Sequence, residues 1–247
     1  MVGSRKTLRN SGAAPPAGRR GLSTERVLVA ALHMVDTEGL DALSMRHLAH
    51  SLNREAMTLY RYAANKTALL DGVVELVLDE LHINAAAEDW RQELRTLAHD
   101  FRDLARAHPN VLPLVVTRPP ATPLGLRPPG TLRPLEDFLQ LLTRAGFTPT
   151  NALHAYRLFF GFLHGHVLAE LQEHVTNPED TEDLLRLGLH RLSPEKFPQL
   201  RTLGAALTGY DPAAQLDLGV DLMLAGLATY LLPTPHHRTP PPPPKAR

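Results

Sequence analysis

The chain has 247 residues, no cysteine, and 26 basic side chains balanced by 26 acidic ones. This length is enough for one large domain or two smaller ones, each with its own core. The lack of cysteine excludes a disulfide framework, a thiolate metal site and a thiol nucleophile. Leu and Ala dominate while aromatic residues make up only 5%, which favours an all-α fold of packed helices over a sheet.

The first segment, residues 1–22, combines Gly, Pro and Ala with basic side chains and has no acidic residue. Its five cations are Arg5, Lys6, Arg9, Arg19 and Arg20. Such a composition predicts a disordered basic arm, which would add phosphate attraction to a chain of zero net charge. There is no apolar signal core behind the cations and no apolar run of membrane-spanning length. We therefore expect a cytoplasmic protein with no membrane partner.

The next residues, 23–66, predict a compact domain of three helices. Ser23 or Thr24 can cap the first helix, which Gly39 ends. Its apolar stripe at helical spacing contains Val27, Leu28, Ala31, Leu32 and Val35. The second helix has Leu48, Ala49 and Leu52 on one face, and the break Asn53-Arg54 separates it from a third. Two short amphipathic helices at a tight turn indicate a helix-turn-helix, which makes DNA the leading candidate partner.

The following residues, 67–232, predict a second domain that is a helical bundle. A long helix starts after Lys66 and is expected to run to about Ala87. Further helical patterns cover residues 90–108, 132–145, 149–175 and 212–232, with a Pro-rich loop over 119–134 and a polar connection over 176–194. Gly219 and Gly226 should permit close helix approach. Residues 233–247 predict a disordered Pro-rich tail.

The motif T-L-Y-x-x-x-x-N-K-x-x-L-L-D at residues 58–71, preceded by Arg46-His47-Leu48-Ala49, resembles the TetR family of bacterial repressors. Further similarity to its tetracycline-repressor branch lies at Trp90 and at residues 117–119, 145–147, 151–153 and 167–174. The resemblance covers most of residues 24–232. It implies a homodimer that places two recognition helices in the major grooves of a palindromic operator, and a second domain that binds a small-molecule effector.

The predicted DNA contacts follow partly from this resemblance. It assigns such contacts to Arg46, Glu55, Thr58, Tyr60, Arg61 and Lys66. Ala56 and Met57 also fall on base-facing positions and offer apolar contacts, for example to a thymine methyl group. The Ser44 hydroxyl can reach a phosphate, Arg54 either meets a phosphate or points to solvent, and Tyr62 ends the polar, aromatic and basic run. The simpler alternative is a solvated surface or, for Tyr60, a ring facing the core.

The predicted effector site also combines the resemblance with the chemistry of its residues. His82, Thr117 and Glu170 match positions that touch drug or metal-bound water in the tetracycline repressor. Leu97 and Leu114 replace its drug-binding Asn and its metal-ligating His, so a magnesium-tetracycline effector is not expected. The remaining predicted lining residues are Phe101, Tyr156, Phe160 and His164. We expect a small, largely apolar effector in an apolar cavity.

A second interpretation concerns His164, His166 and Glu170. His166 and Glu170 are four residues apart on one helix face, so they could share a metal ion. Because no third ligand has recognisable spacing, ordinary polar residues at a pocket rim or dimer seam are the simpler interpretation. We expect neither a metal nor a cofactor.

The sequence thus predicts a ligand-responsive transcriptional regulator, a repressor in the first instance, with activation left open. One alternative is a helical-bundle enzyme, but the serines lack a G-x-S-x-G context and no phosphate loop or metal set is present. The other is an adaptor that dimerises through its C-terminal helices without binding specific DNA. We do not expect an enzyme, and the sequence identifies neither the effector nor the operator.

Overall fold

A computed structural model describes residues 22–117, 129–175, 187–188, 191–203 and 211–233, without the side chains of residues 116–117, 129–131 and 173–175. Within these ranges the regular elements are all helical, which confirms the predicted all-α fold. They are α1 (Thr24–Glu38), a 3-10 turn (Leu40–Ala42), α2 (Met45–Ser51), α3 (Ala56–Leu59), α4 (Lys66–Leu78), α5 (Trp90–Ala107), α6 (Leu112–Thr117), α7 (Pro129–Arg144), α8 (Pro149–Val175), α9 (Pro198–Thr202) and α10 (Pro212–Tyr230). The predictions for residues 1–21 and 234–247, and for most of the two connections, lie outside the described residues.

The first helix, α1, begins and ends as its sequence predicts. The Ser23 hydroxyl caps it by accepting a hydrogen bond from the Arg26 N–H at 3.3 Å. Gly39 follows at φ +85°, a conformation that glycine adopts without strain. Val27 and Val35 are buried, together with Ala31 and the unpredicted Met34, so one face of α1 forms the core of the N-terminal unit.

The fourth helix, α4, is shorter than predicted, because it ends at Leu78 and not near Ala87. Turn hydrogen bonds replace the helical ones after this point, as in Leu81 N–H to the Leu78 carbonyl at 3.1 Å. Leu81 and Ile83 are nevertheless buried, which is why their apolar pattern imitated a longer helix. Asn84 then accepts a hydrogen bond from the Ala86 N–H, and such local bonding competes with helix formation.

The seventh helix, α7, begins at Pro129, three residues before its predicted start at Leu132. Proline is tolerated in a first helical turn because its missing N–H has no intrahelical partner there. Pro134 lies inside the helix and removes one hydrogen bond. Burial of Phe138, Leu141 and Leu142 outweighs that loss.

The eighth helix, α8, lies at the centre of the C-terminal domain, where it packs against α5, α7 and α10. Ala152, Phe159 and Leu163 on α8 are fully buried. At Gly219 of α10 an added Cβ would collide with the Phe162 ring, so the predicted close approach is confirmed there. At Gly226 no atom of the described residues lies within 4 Å of the Cβ position, so the close approach expected there stays a prediction.

The helix α4 connects the two parts of the molecule. It packs on α1, where Gly72 lies against the Leu28 side chain, and it also contacts α6 and α7. A movement in the C-terminal domain can therefore reach the N-terminal unit through one continuous helix. In the described part of the chain, no helix combines the length and apolar character needed to cross a bilayer.

Candidate nucleic-acid interface and effector site

The N-terminal unit forms the predicted pair of short helices around a tight turn. Ser44 caps α2 by accepting a hydrogen bond from the His47 N–H at 3.1 Å. Asn53 follows α2 at φ +52°, in the left-handed region that Asn tolerates better than most residues. The Arg54 N–H then returns to the Ala49 carbonyl at 2.8 Å. These contacts place the break between α2 and α3 at Asn53-Arg54, as predicted.

The helix α3 is four residues long, and the chain continues past Leu59 as turns. Leu59 is fully buried and anchors α3 on the core of the unit. The N–H groups of Tyr62 and Ala63 both bond to its carbonyl, at 2.8 and 3.0 Å. On the outer side, Met57 exposes 75% and Tyr60 47% of their surfaces. This short rod therefore presents a mixed polar, aromatic and apolar face outward.

The predicted DNA contacts lie on one small unit and most are accessible. The exposed ones are Ser44, Arg46, Arg54, Glu55, Met57, Tyr60, Arg61 and Lys66, and the half-buried ones are Ala56, Thr58 and Tyr62. The Tyr62 hydroxyl donates to the Leu22 carbonyl at 2.9 Å, which fixes the start of α1 beside α3. Lys66 Nζ donates to the Leu40 carbonyl at 3.4 Å.

Inside the C-terminal domain, aromatic rings of α5, α7 and α8 form one aromatic cluster. Its members are Phe101, Phe138, Tyr156, Phe159, Phe160 and His164. The ring centroids of Tyr156 and Phe160 are 4.8 Å apart, and those of Phe101 and His164 are 5.5 Å apart. Burial lowers the pKa of His164 below its usual value, which favours the neutral ring.

Four predicted effector residues, Phe101, Tyr156, Phe160 and His164, thus come together. Phe138 and Phe159 belong to the same aromatic cluster but were not predicted as its members, although Phe138, Leu141 and Leu142 show helical spacing in the sequence.

The other predicted effector residues lie in different surroundings. Leu97 is buried one turn before Phe101 on α5, and Leu114 is half-buried on α6. His82 is exposed, and its Nδ1 lies 2.8 Å from the Glu80 carbonyl oxygen, so it is not a member of the aromatic cluster. The side chain of Thr117 lies outside the described residues.

Glu170 is almost fully buried and is held by Arg102, a residue that sequence reasoning missed. The guanidinium of Arg102 donates two hydrogen bonds to the carboxylate, at 2.6 and 2.8 Å. These bonds raise the pKa of Arg102 above its usual value. His166 Nε2 lies 3.9 Å from Glu170 Oε2, whereas His164 faces Phe101 and Phe160. Within the described ranges, no three His, Asp or Glu side chains converge as a metal ion would require.

The short helix α3 is anchored by Leu59 and exposes polar side chains, as in a helix-turn-helix protein. The helix α4 joins this unit to a larger helical domain, which resembles a sensor domain. Family models match both parts. Residues 27–73 match the bacterial regulatory proteins of the tetR family, and residues 84–231 match the tetracyclin repressor-like C-terminal domain. The chain belongs to the TetR family of bacterial regulatory proteins.

Similar curated proteins are transcriptional regulators. The chain is 31% identical over 154 residues to the HTH-type transcriptional repressor DrrR1 of Streptomyces coeruleorubidus, an alignment of 62% of this chain and 55% of that protein. It therefore spans about half the length of this relative. It is 31% identical over 215 residues to the class G tetracycline repressor protein of Vibrio anguillarum, which covers 81% of this chain and 90% of that protein.

Among solved structures, the TetR family protein ActR of Streptomyces coelicolor in complex with actinorhodin superposes with a TM-score of 0.76 at 27% identity. The superposition covers 86% of this chain and 98% of that chain. The same protein in complex with (S)-DNPA gives a TM-score of 0.73 at 28% identity, over 84% and 98% of the two chains. The predicted family and the two-part helical architecture are thereby confirmed.

Proposed function

We propose that the protein is a ligand-responsive transcriptional repressor that binds a palindromic DNA operator as a homodimer. The observation that supports this most directly is the exposed face of α3, which rises from the buried side chain of Leu59. The exposed Tyr60, the exposed Arg61 and Met57, which is 75% accessible, offer a hydroxyl, a guanidinium and an apolar group that suit phosphates and the edges of base pairs.

The charged side chains of the N-terminal unit divide into two roles in this proposal. Arg46, Arg54 and Lys66 are exposed and would neutralise phosphates, together with the hydroxyl of Ser44. Arg61 and Glu55 are the candidates for reading bases, because Arg pairs with guanine and a carboxylate accepts from cytosine. Aimed contacts of this kind allow a chain of zero net charge to bind a polyanion.

The homodimer is supported by an apolar stripe that the chain leaves open on two adjacent helices. On α8 the stripe contains Leu158, Gly161, Gly165 and Ala169, and on α10 it contains Leu218, Leu222 and Ala225. The spacing of three and four residues places each set on one helix face. Small residues on α8 would let a partner helix approach closely. A second copy of this chain is the proposed cover, because family relatives are dimeric regulators.

The effector, in this proposal, is a planar aromatic molecule that binds against the aromatic cluster. Rings in edge-on and tilted arrangements can reorient to stack on a flat ligand, and the neutral His164 adds a hydrogen-bonding edge. The ActR structure that resembles this chain holds actinorhodin. A metal ion is not needed here, since Arg102 already supplies the positive charge that faces Glu170.

Release from DNA would follow from a shift between two dimer conformations. An effector can change operator affinity only through its different affinities for those two states. Because α4 contacts both α1 and α7, a shift of the C-terminal domain would tilt the N-terminal unit. The spacing of two recognition helices must match the groove repeat, so a small tilt weakens both half-sites at once. The proposal further places the protein in the cytoplasm, without catalytic activity.

The decisive experiment is selection of bound sequences from random double-stranded DNA, followed by titration of the selected operator at several salt concentrations. The Tyr60→Ala plus Lys66→Ala variant should bind at least tenfold more weakly and with a shallower salt dependence, because one phosphate-facing cation is gone. Lys196→Ala, which removes an exposed lysine before α9, is the matched control and should bind as the wild type does. Failure to enrich any sequence would contradict the proposal.

A further inference from the structure

A polar contact joins the N-terminal unit to the C-terminal domain at the turn between α5 and α6. His108, which caps the end of α5, lies with Nδ1 2.8 Å from Oδ2 of Asp36 on α1. Two residues later, the Asn110 side-chain amide donates to the Val35 carbonyl at 3.0 Å. On the other side of the ring, His108 Nε2 lies 3.7 Å from Oε1 of Glu80, just after α4. We name these five residues the His108 clasp.

The Asp36 carboxylate at the centre of the clasp has one oxygen atom without a hydrogen-bond partner among the described residues. The Asp36 side chain is only 22% exposed, and its second oxygen, Oδ1, is buried with no hydrogen-bond partner in the described part of the chain. A buried carboxylate of this kind is costly unless a positive charge compensates it. His108 is the group within reach, and its own side chain is 15% exposed.

Protonation of His108 would complete the clasp. An ionised carboxylate only accepts hydrogen bonds, so Nδ1 carries a proton that it donates to Asp36 in either state of the ring. The neutral ring then has no proton on Nε2, whereas the imidazolium directs a second N–H toward Glu80 and adds a full charge beside Asp36. Hydrogen bonds between charged partners are about twice as strong as neutral ones.

The ionisable groups near the ring come from three segments packed around it. The ionisable groups are Asp36 from α1, Glu80, Asp79 and the exposed His82 from the segment ending and following α4, and the exposed Arg106 from α5 itself. The sequence of α6, LPLVVT, contributes none. Carboxylates at 2.8 and 3.7 Å are the groups that contact the ring.

We propose that the His108 clasp is a proton-sensitive positioning device that fixes the DNA-reading unit against the C-terminal domain. This rests on the proposed function. The helix α1 packs against α2, α4 and the 3-10 turn, and α2 packs against α3. If the C-terminal end of α1 is held in place, the orientation of α3 is therefore held as well. An N-terminal unit that is already held in its binding orientation loses less conformational entropy when it binds DNA. Operator affinity therefore rises on acidification, when His108 gains a proton.

The test compares operator binding at about pH 6 and about pH 8 for the wild type and His108→Asn, in which the amide keeps a neutral donor near the Nδ1 position. The wild type should gain about fivefold more affinity on acidification than this variant does. Asp36→Asn should lose the same gain. The other histidines of the N-terminal unit, His33, His47 and His50, are present in every variant and therefore cancel from the comparison.

The matched control is His99→Asn, the same substitution earlier on α5. His99 pairs with Asp217 of α10 at 2.9 Å and has no contact with α1 among those described. It should retain the wild-type gain on acidification. Identical pH profiles for the wild type and His108→Asn would overturn the proposal, as would an equal loss in His99→Asn. Thermal melting at both pH values verifies that each variant is folded.

A second measurement needs no DNA and separates failure of the clasp from failure of the proposed function. The chain has no cysteine, so spin labels at Ala64→Cys and Gln140→Cys, both exposed, report the distance between the two parts. The distance distribution should be narrower at about pH 6 than at about pH 8, and this difference should vanish in His108→Asn. A distribution that is unchanged between the two pH values would reject the clasp even if operator binding were established.

Discussion

At the scale of single residues, the histidine of the proposed clasp and the histidine of the aromatic cluster have opposite surroundings. His108 lies between carboxylates at the junction of the two parts, whereas His164 lies among rings in the aromatic cluster. Carboxylates favour an imidazolium, but an apolar environment favours the neutral ring. The two proposals therefore assign different tasks to one residue type in the same chain, and only the three-dimensional neighbours distinguish them.

The buried position of His164 predicts a specific pH dependence of stability. Burial lowers its pKa in the folded protein from the ordinary value of 6.5. Below about that pH the unfolded chain takes up a proton that the folded chain does not, so acid reduces the free energy of unfolding. The contribution is fully present above 6.5 and is lost as the pH falls.

His164→Phe should flatten this decline between about pH 7 and about pH 5, measured by urea unfolding. His154→Phe, at an exposed position of the same helix, should keep it. A decline of unchanged slope in His164→Phe would contradict the assignment.

At the scale of helices, the sequence predicted those whose cores and caps are local. The starts of α1, α5 and α8, at Thr24, Trp90 and Pro149, lie where the sequence predicted them. The end of α4 was missed because Leu81 and Ile83 are buried in the irregular segment that follows the helix, and only tertiary packing determines that burial. The Arg102–Glu170 pair was missed for a similar reason, since 68 residues separate its partners.

The contact between α8 and α10 predicts unequal effects at two glycines. Gly219→Ala should destabilise the fold by about 1–3 kcal/mol, because its methyl group would collide with Phe162. Gly226→Ala, whose new methyl group meets no atom of the described residues within 4 Å, should be neutral or stabilise α10 by up to about 1 kcal/mol. Chemical denaturation measures both, and equal effects would mean that the two helices do not meet at Gly219.

At the scale of the whole molecule, the described residues leave an apolar stripe of α8 and α10 uncovered. Leu222 is 67% exposed and Leu218 55%. These values are high for leucines in a helix whose opposite face, with Leu216 and Val220, is buried. The proposed dimer covers this stripe, and it places two copies of α3 on one assembly.

Leu222→Arg should convert the dimer to a monomer in sedimentation velocity, because two charges would meet in an apolar seam without partners. Operator affinity should then fall by about two orders of magnitude or more, since each half-site is bound alone. Leu200→Arg, at an exposed leucine of α9, is the control and should change neither property. Retained dimers in Leu222→Arg would place the interface elsewhere.

The position of α8 has a consequence for how such a sensor can diversify. The helix α8 supplies rings to the aromatic cluster, the Glu170 carboxylate that Arg102 contacts, and the small residues of the apolar stripe. Because the 27 residues of α8 serve these three roles together, few substitutions in this helix would alter only one role. Changes in effector specificity should therefore arise by substitutions on α5 and α7, because these helices contact the same rings but serve fewer of these roles.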